Sequence, residues 1–119
     1  MTLLNVDKFT YTLVEETVLN NTPVWKIRAT ARTDAIAEET GYTESLLWVR
    51  KDPYMILQAN HQTDNPKRRK LYKVKNYEQK ENGIWVITKS SMQVYYKEKL
   101  EQQTLFITNT IIDVLRNRL

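Results

Sequence analysis

Apolar residues recur at every second position through much of the chain, with polar or turn-forming residues interrupting them at fairly regular spacing. That period sends successive side chains to opposite faces of a strand and predicts an antiparallel sheet. A first strand is expected over residues 9–15, where Phe9, Tyr11 and Leu13 alternate with threonines. Asn20-Asn21-Thr22-Pro23 supplies a turn, because asparagine tolerates left-handed backbone and proline fixes φ. The next strand, residues 24–31, puts Trp25, Ile27 and Ala29 on one face and Lys26 and Arg28 on the other. Residues 32–43 predict a loop with one helical turn over residues 35–39. In residues 44–50, Leu46 and Trp48 oppose Leu47 and Val49, so this strand needs cover on both sides.

Lys51-Asp52-Pro53 makes a tight connection to residues 54–63, in which Met55, Leu57 and Ala59 are expected to share a face. A basic strand over residues 67–77 follows the turn Thr63-Asp64-Asn65-Pro66. A hairpin loop over residues 78–83 then ends on the strong turn dipeptide Asn82-Gly83. Further strands are expected over residues 84–87, 91–99 and 104–108, with a last hairpin around residues 99–102. The tail changes period: Ile111 or Ile112, Leu115 and Leu119 form a helical stripe behind a capping box at Thr110 and Asp113, which fits a short helix, while residues 104–112 also read as a longer strand. No internal repeat or linker divides the 119 residues, so a single β domain over residues 1–119 is expected.

Composition mainly excludes. Hydrophobic residues make up 41% and charged residues 27%, the balance of a globular chain. Two glycines, Gly41 and Gly83, are too few for a glycine-rich phosphate loop, and the absence of cysteine removes disulfides and thiol chemistry. No apolar run approaches the roughly 18–20 residues that span a bilayer, and the start MTLLNVDKF lacks the pattern of a signal peptide. The net charge of +4 is concentrated in KRRKLYKVK, residues 67–75. A nucleic-acid role would need stacking groups on the same face, and Tyr72 falls opposite Lys67, Arg69, Lys73 and Lys75. The run is therefore read as a solvated arm whose lysines blunt an edge strand, with no nucleic-acid partner.

Catalytic groups are sparse. His61 is the only histidine, and a pairing with nearby Asp64 would still lack a nucleophile; a hydrogen-bonded histidine at a strand end is the simpler reading. Glu15 and Glu16 point to opposite faces, Glu38 and Glu39 lie in a loop, and Ser90-Ser91 lacks the glycines of a nucleophile elbow. A non-enzymatic protein without metal or cofactor is expected. Three tryptophans and seven tyrosines remain, a large amphipathic inventory for so small a sheet. Several strands are apolar on both faces, so another segment, a partner subunit or an apolar ligand must cover one of them.

The order of four segments resembles the carboxy-terminal part of the outer-membrane lipoprotein-sorting family, the group related to the LolA and LolB carriers. These segments are Pro23-Val24-Trp25-Lys26-Ile27 after a tyrosine-containing strand and acidic turn; Gly41-Tyr42 before Leu47-Trp48-Val49-Arg50-Lys51-Asp52; the turn Asp64-Asn65-Pro66-Lys67; and Asn82-Gly83-Ile84-Trp85-Val86 before a strand with Met92. The likeness covers residues 9–108. It implies a mainly β fold, an antiparallel curved sheet or open half-barrel, of which this chain would be a fragment or reduced form. It implies a periplasmic or envelope location and a non-catalytic role in shielding the acyl chains of lipids or lipoproteins, with peripheral membrane contact. The apolar face would be formed by Phe9, Tyr11, Leu13, Trp25, Ile27, Leu46, Trp48, Met55, Leu57 and Trp85. The alternative is an interaction module that pairs through sheet edges or the apolar face, as a homodimer or with another protein.

Overall fold

The computed structural model describes residues 8–107. They form seven strands, β1 (Phe9–Leu19), β2 (Thr22–Ala31), β3 (Glu44–Lys51), β4 (Tyr54–Gln62), β5 (Arg68–Gln79), β6 (Trp85–Tyr96) and β7 (Lys99–Ile107), with one helix, α1 (Asp34–Thr40), between β2 and β3. Each strand pairs antiparallel with its sequence neighbours in the order β1 to β7, and β1 does not pair with β7. The result is a curved antiparallel sheet that stays open.

The turn residues explain the hairpins. Asn20 and Asn21 both take positive φ, 50° and 66°, the backbone that a two-residue hairpin turn demands. α1 ends as its sequence dictates: the Thr33 hydroxyl accepts from the Ile36 amide at 3.1 Å, and Gly41, at φ 83°, donates its amide to the Ala37 carbonyl at 2.8 Å.

One face of the sheet carries the core. Phe9, Ala29, Leu47, Val49, Ile56, Ala59 and Tyr72 form a buried cluster against which Ile36 of α1 packs, together with Tyr11, Ile27, Val74 and Met92. Their register is consistent, since Ala29 lies beside Tyr11, Leu47 beside Ile27 and Ala59, and Tyr72 beside Ala59 and Met92.

Four expectations need correction. The basic segment is not an edge: β5 lies between β4 and β6, its arginines taken up by cross-strand partners. Arg69 pairs with Glu98 at 3.1 Å and covers the Tyr95 ring, and Arg68 pairs with Glu101 at 3.5 Å. Residues 85–96 are one strand, because a bulge at Thr88 and the buried Ser90 and Ser91 carry pairing through what looks like a polar break. The last hairpin turns at Lys97 and Glu98, with φ 52° and 62°, earlier than predicted, because neither is a usual turn residue. Met55 and Ala59 lie on opposite faces, because Leu57 is an extra residue between Ile56, paired with Val49, and Gln58, paired with Trp48. The predicted helix over residues 110–119 lies outside the described residues.

Candidate functional site

β4 and β5 are hydrogen-bonded neighbours only from Gln58, paired with Lys73, to Gln62, paired with Arg69. Past Lys73, β5 continues to Gln79 paired with β6 alone, while the first half of β4 stays with β3. The two strands part, and a cavity of about 480 Å³ occupies the gap. It lies within the range of small-molecule sites, roughly 300–1,000 Å³. Gln58 and Lys73 bring to the cavity the face of Trp48, whereas Val74, which also lines it, packs against the core cluster.

Its lining is mixed. Leu57, Val74 and Tyr77 supply apolar surface from the two diverging strands, and Leu19 adds more from the β1–β2 turn. Asn20, Thr22 and Gln58 are polar, Lys73 and Lys75 are cationic, and no acidic residue lines the cavity. Two bulges aim side chains into it: Leu57 is the extra residue of β4, and Lys75 is the extra residue of β5 between Val74, paired with Ser90, and Asn76, paired with Lys89. Arg50, at the end of β3, holds its guanidinium 5.1 Å from the centre of the Tyr77 ring and 4.9 Å from that of Trp85.

The residues singled out from sequence do not share one surface. Phe9, Tyr11, Leu13, Trp25 and Ile27 lie on the core face by register. Phe9 is sealed in the core, Tyr11 and Ile27 pack against it, and Leu13 stays 57% exposed. Trp25 stacks on Tyr54 at 5.7 Å and donates from Nε1 to Glu16 at 2.9 Å. That bond, with further hydrogen bonding and charge from Lys51, holds the Glu16 carboxyl below its usual range. Leu46, Trp48, Met55 and Trp85 lie on the other face, and Trp48 carries the Lys26 ammonium 5.4 Å from its ring. Leu57 alone of the ten lines the cavity.

Sequence reasoning missed Leu19, Val74, Tyr77, Lys73 and Lys75 as cavity residues. The basic run was visible, but a bulge leaves no periodic signal, so the direction of Lys75 was not.

His61 is buried on the core face, paired with Ser45 rather than Asp64. Its Nδ1 lies 2.7 Å from the Ser45 hydroxyl, and its ring stacks on Tyr42 at 4.1 Å. Burial, reinforced by the charge of Lys70, pushes its pKa down to about 4, and burial also pushes the Tyr42 hydroxyl up. A serine hydroxyl against an imidazole has the contacts of a nucleophile and base, but Ser45 and His61 are 0% and 1% exposed. The pair ties β3 to β4 without facing solvent. No group of three or more metal-ligating side chains occurs among the described residues.

A family model described as "Uncharacterized protein" matches residues 1–114. The chain belongs to that family. The search of curated proteins returned no match. Among solved structures, the chain is similar to an outer membrane lipoprotein-sorting protein domain from Vibrio parahaemolyticus, with a TM-score of 0.63 and 14% identity, covering 97% of this chain and 49% of that one. It is also similar to a DUF1329 family protein from Desulfovibrio piger, with a TM-score of 0.65 and 22% identity, covering 84% of this chain and 46% of that one. The chain thus shares the fold of the lipoprotein-sorting domain, as the resemblance in its segments implies, and spans about half the length of either structure.

Proposed function

We propose that this chain is a non-catalytic carrier domain of the bacterial cell envelope that shields acyl chains of lipids or lipoproteins. The observation that carries this reading is the cavity between the diverging β4 and β5, where Leu19, Leu57, Val74 and Tyr77 give an alkyl chain a place out of water. Each methylene removed from water is worth about 0.8 kcal/mol, so a carrier needs little more than a lined gap to hold an acyl chain. Leu46, Trp48, Met55 and Trp85 extend apolar surface on the face of Gln58 and Lys73. The shared fold with a lipoprotein-sorting domain supports the reading.

Displacement of a fluorescent fatty acid tests it. Saturable binding by the full chain, lost in Leu57→Asp with the fold retained, is expected; no binding by the full chain overturns the proposal.

A second reading rests on the open edges. β7 is exposed along almost its whole length, with Leu100, Leu105, Phe106 and Ile107 each about half exposed or more. Such an edge pairs readily with another strand. An interaction module using it would form a concentration-dependent homodimer or a complex with a partner protein, which sedimentation analysis distinguishes from a monomeric carrier.

A further inference from the structure

Resting on that carrier reading, we infer that the cavity between β4 and β5 selects an anionic amphiphile, its alkyl chain on Leu57, Val74 and Tyr77 and its headgroup held by Lys73 and Lys75. The two lysines approach the gap by different routes. Lys73 projects from the last paired position of β5 against β4, and Lys75 is turned by its bulge toward the same space. Neither makes an ion pair among the described residues, and no acidic side chain lines the cavity. Two acids on nearby segments are paired elsewhere: Glu78 is held by Lys80 at 2.6 Å, and Glu16 by Lys51 at 3.1 Å. Arg50 does not line the cavity, but its guanidinium lies over the ring of the lining residue Tyr77 and over Trp85, without an ion pair among the described residues.

Two lysines that line one gap without an ion pair present positive charge there that an anion neutralises. A bare phosphate would leave the apolar wall unused, and an uncharged lipid would leave the lysines without a counter-ion. A carboxylate or phosphate headgroup on a single alkyl chain satisfies both halves of the lining.

Calorimetric titration of the full chain with dodecanol, laurate, dodecyl phosphate and inorganic phosphate tests the inference. The two anionic amphiphiles should bind at least about ten-fold more tightly than dodecanol, with the difference shrinking as salt is raised. Lys73→Gln/Lys75→Gln should erase that difference by weakening laurate and dodecyl phosphate toward the affinity of dodecanol. Lys75→Gln alone, at an exposed position, should reduce it by a smaller factor and serves should the double variant melt early. Equal affinity for dodecanol and the anionic amphiphiles in the unaltered protein overturns headgroup selection while leaving the carrier reading intact. Inorganic phosphate binding as tightly as dodecyl phosphate overturns it in favour of a free-anion site. Failure of all amphiphiles to bind overturns both.

Discussion

Leu57 and Lys75 are each the unpaired extra residue of a β-bulge, one in β4 and one in β5, and both line the gap where those strands separate. A bulge kinks its strand and redirects one side chain. Here the two kinks carry the strands apart and send a leucine and a lysine into the space they open.

Leu57 therefore packs against neighbours while walling an open space. Leu57→Ala is expected to destabilise the fold by about 2 kcal/mol, at the lower end for a buried leucine, because solvent can fill part of the vacated volume. The denaturation midpoint in urea measures this. A change below about 0.5 kcal/mol would place Leu57 outside the packed structure.

The buried His61 makes stability depend on pH. Its folded pKa of about 4 lies below the 6.5 of the free side chain, so the unfolded chain binds a proton that the folded chain refuses between those values. Stability from this residue is fully present above about pH 6.5 and falls progressively toward pH 4, by an amount on the order of 3 kcal/mol. Below pH 4 both states are protonated and this contribution stops changing. Thermal melts of the protein and of His61→Gln across this range provide the check, and the variant's profile should be flatter. Identical pH profiles would remove His61 as the cause.

Phe9 and Leu13 stand four residues apart on one strand and on one face, yet their burial is opposite. Phe9→Ala should cost about 3–5 kcal/mol, whereas Leu13→Ser should stay within about 0.5 kcal/mol. Equal costs would mean that the edge strand β1 buries Leu13 against something in solution, the outcome favoured by the interaction-module reading.

Lys97 holds positive φ in a turn where asparagine is the better residue. Lys97→Asn should raise stability by about 0.5–1 kcal/mol, read from the melting temperature, by relieving left-handed strain. A loss would show that the Lys97 ammonium over the Tyr96 ring outweighs that strain.

The fold was largely legible. The two faces of β2 and β3, the turns at Asn20-Asn21 and Asn82-Gly83, and the short helix over α1 all follow from local period and turn chemistry. Local signals failed where local preference and structure disagree. Lys97-Glu98 turns without a turn sequence, and β6 runs through Thr88-Lys89-Ser90-Ser91 because its neighbours on both sides supply the pairing.

The sequence by itself determined that the sheet is antiparallel, that Tyr72 opposes Lys73 on its own strand, and that no cysteine or glycine-loop chemistry is available. Periodicity and composition suffice for those. Tertiary structure decided that β5 is interior, that His61 meets Ser45, and that Leu57 and Lys75 face one cavity. Each of these depends on register between strands, and a single extra residue shifts register without altering the composition around it.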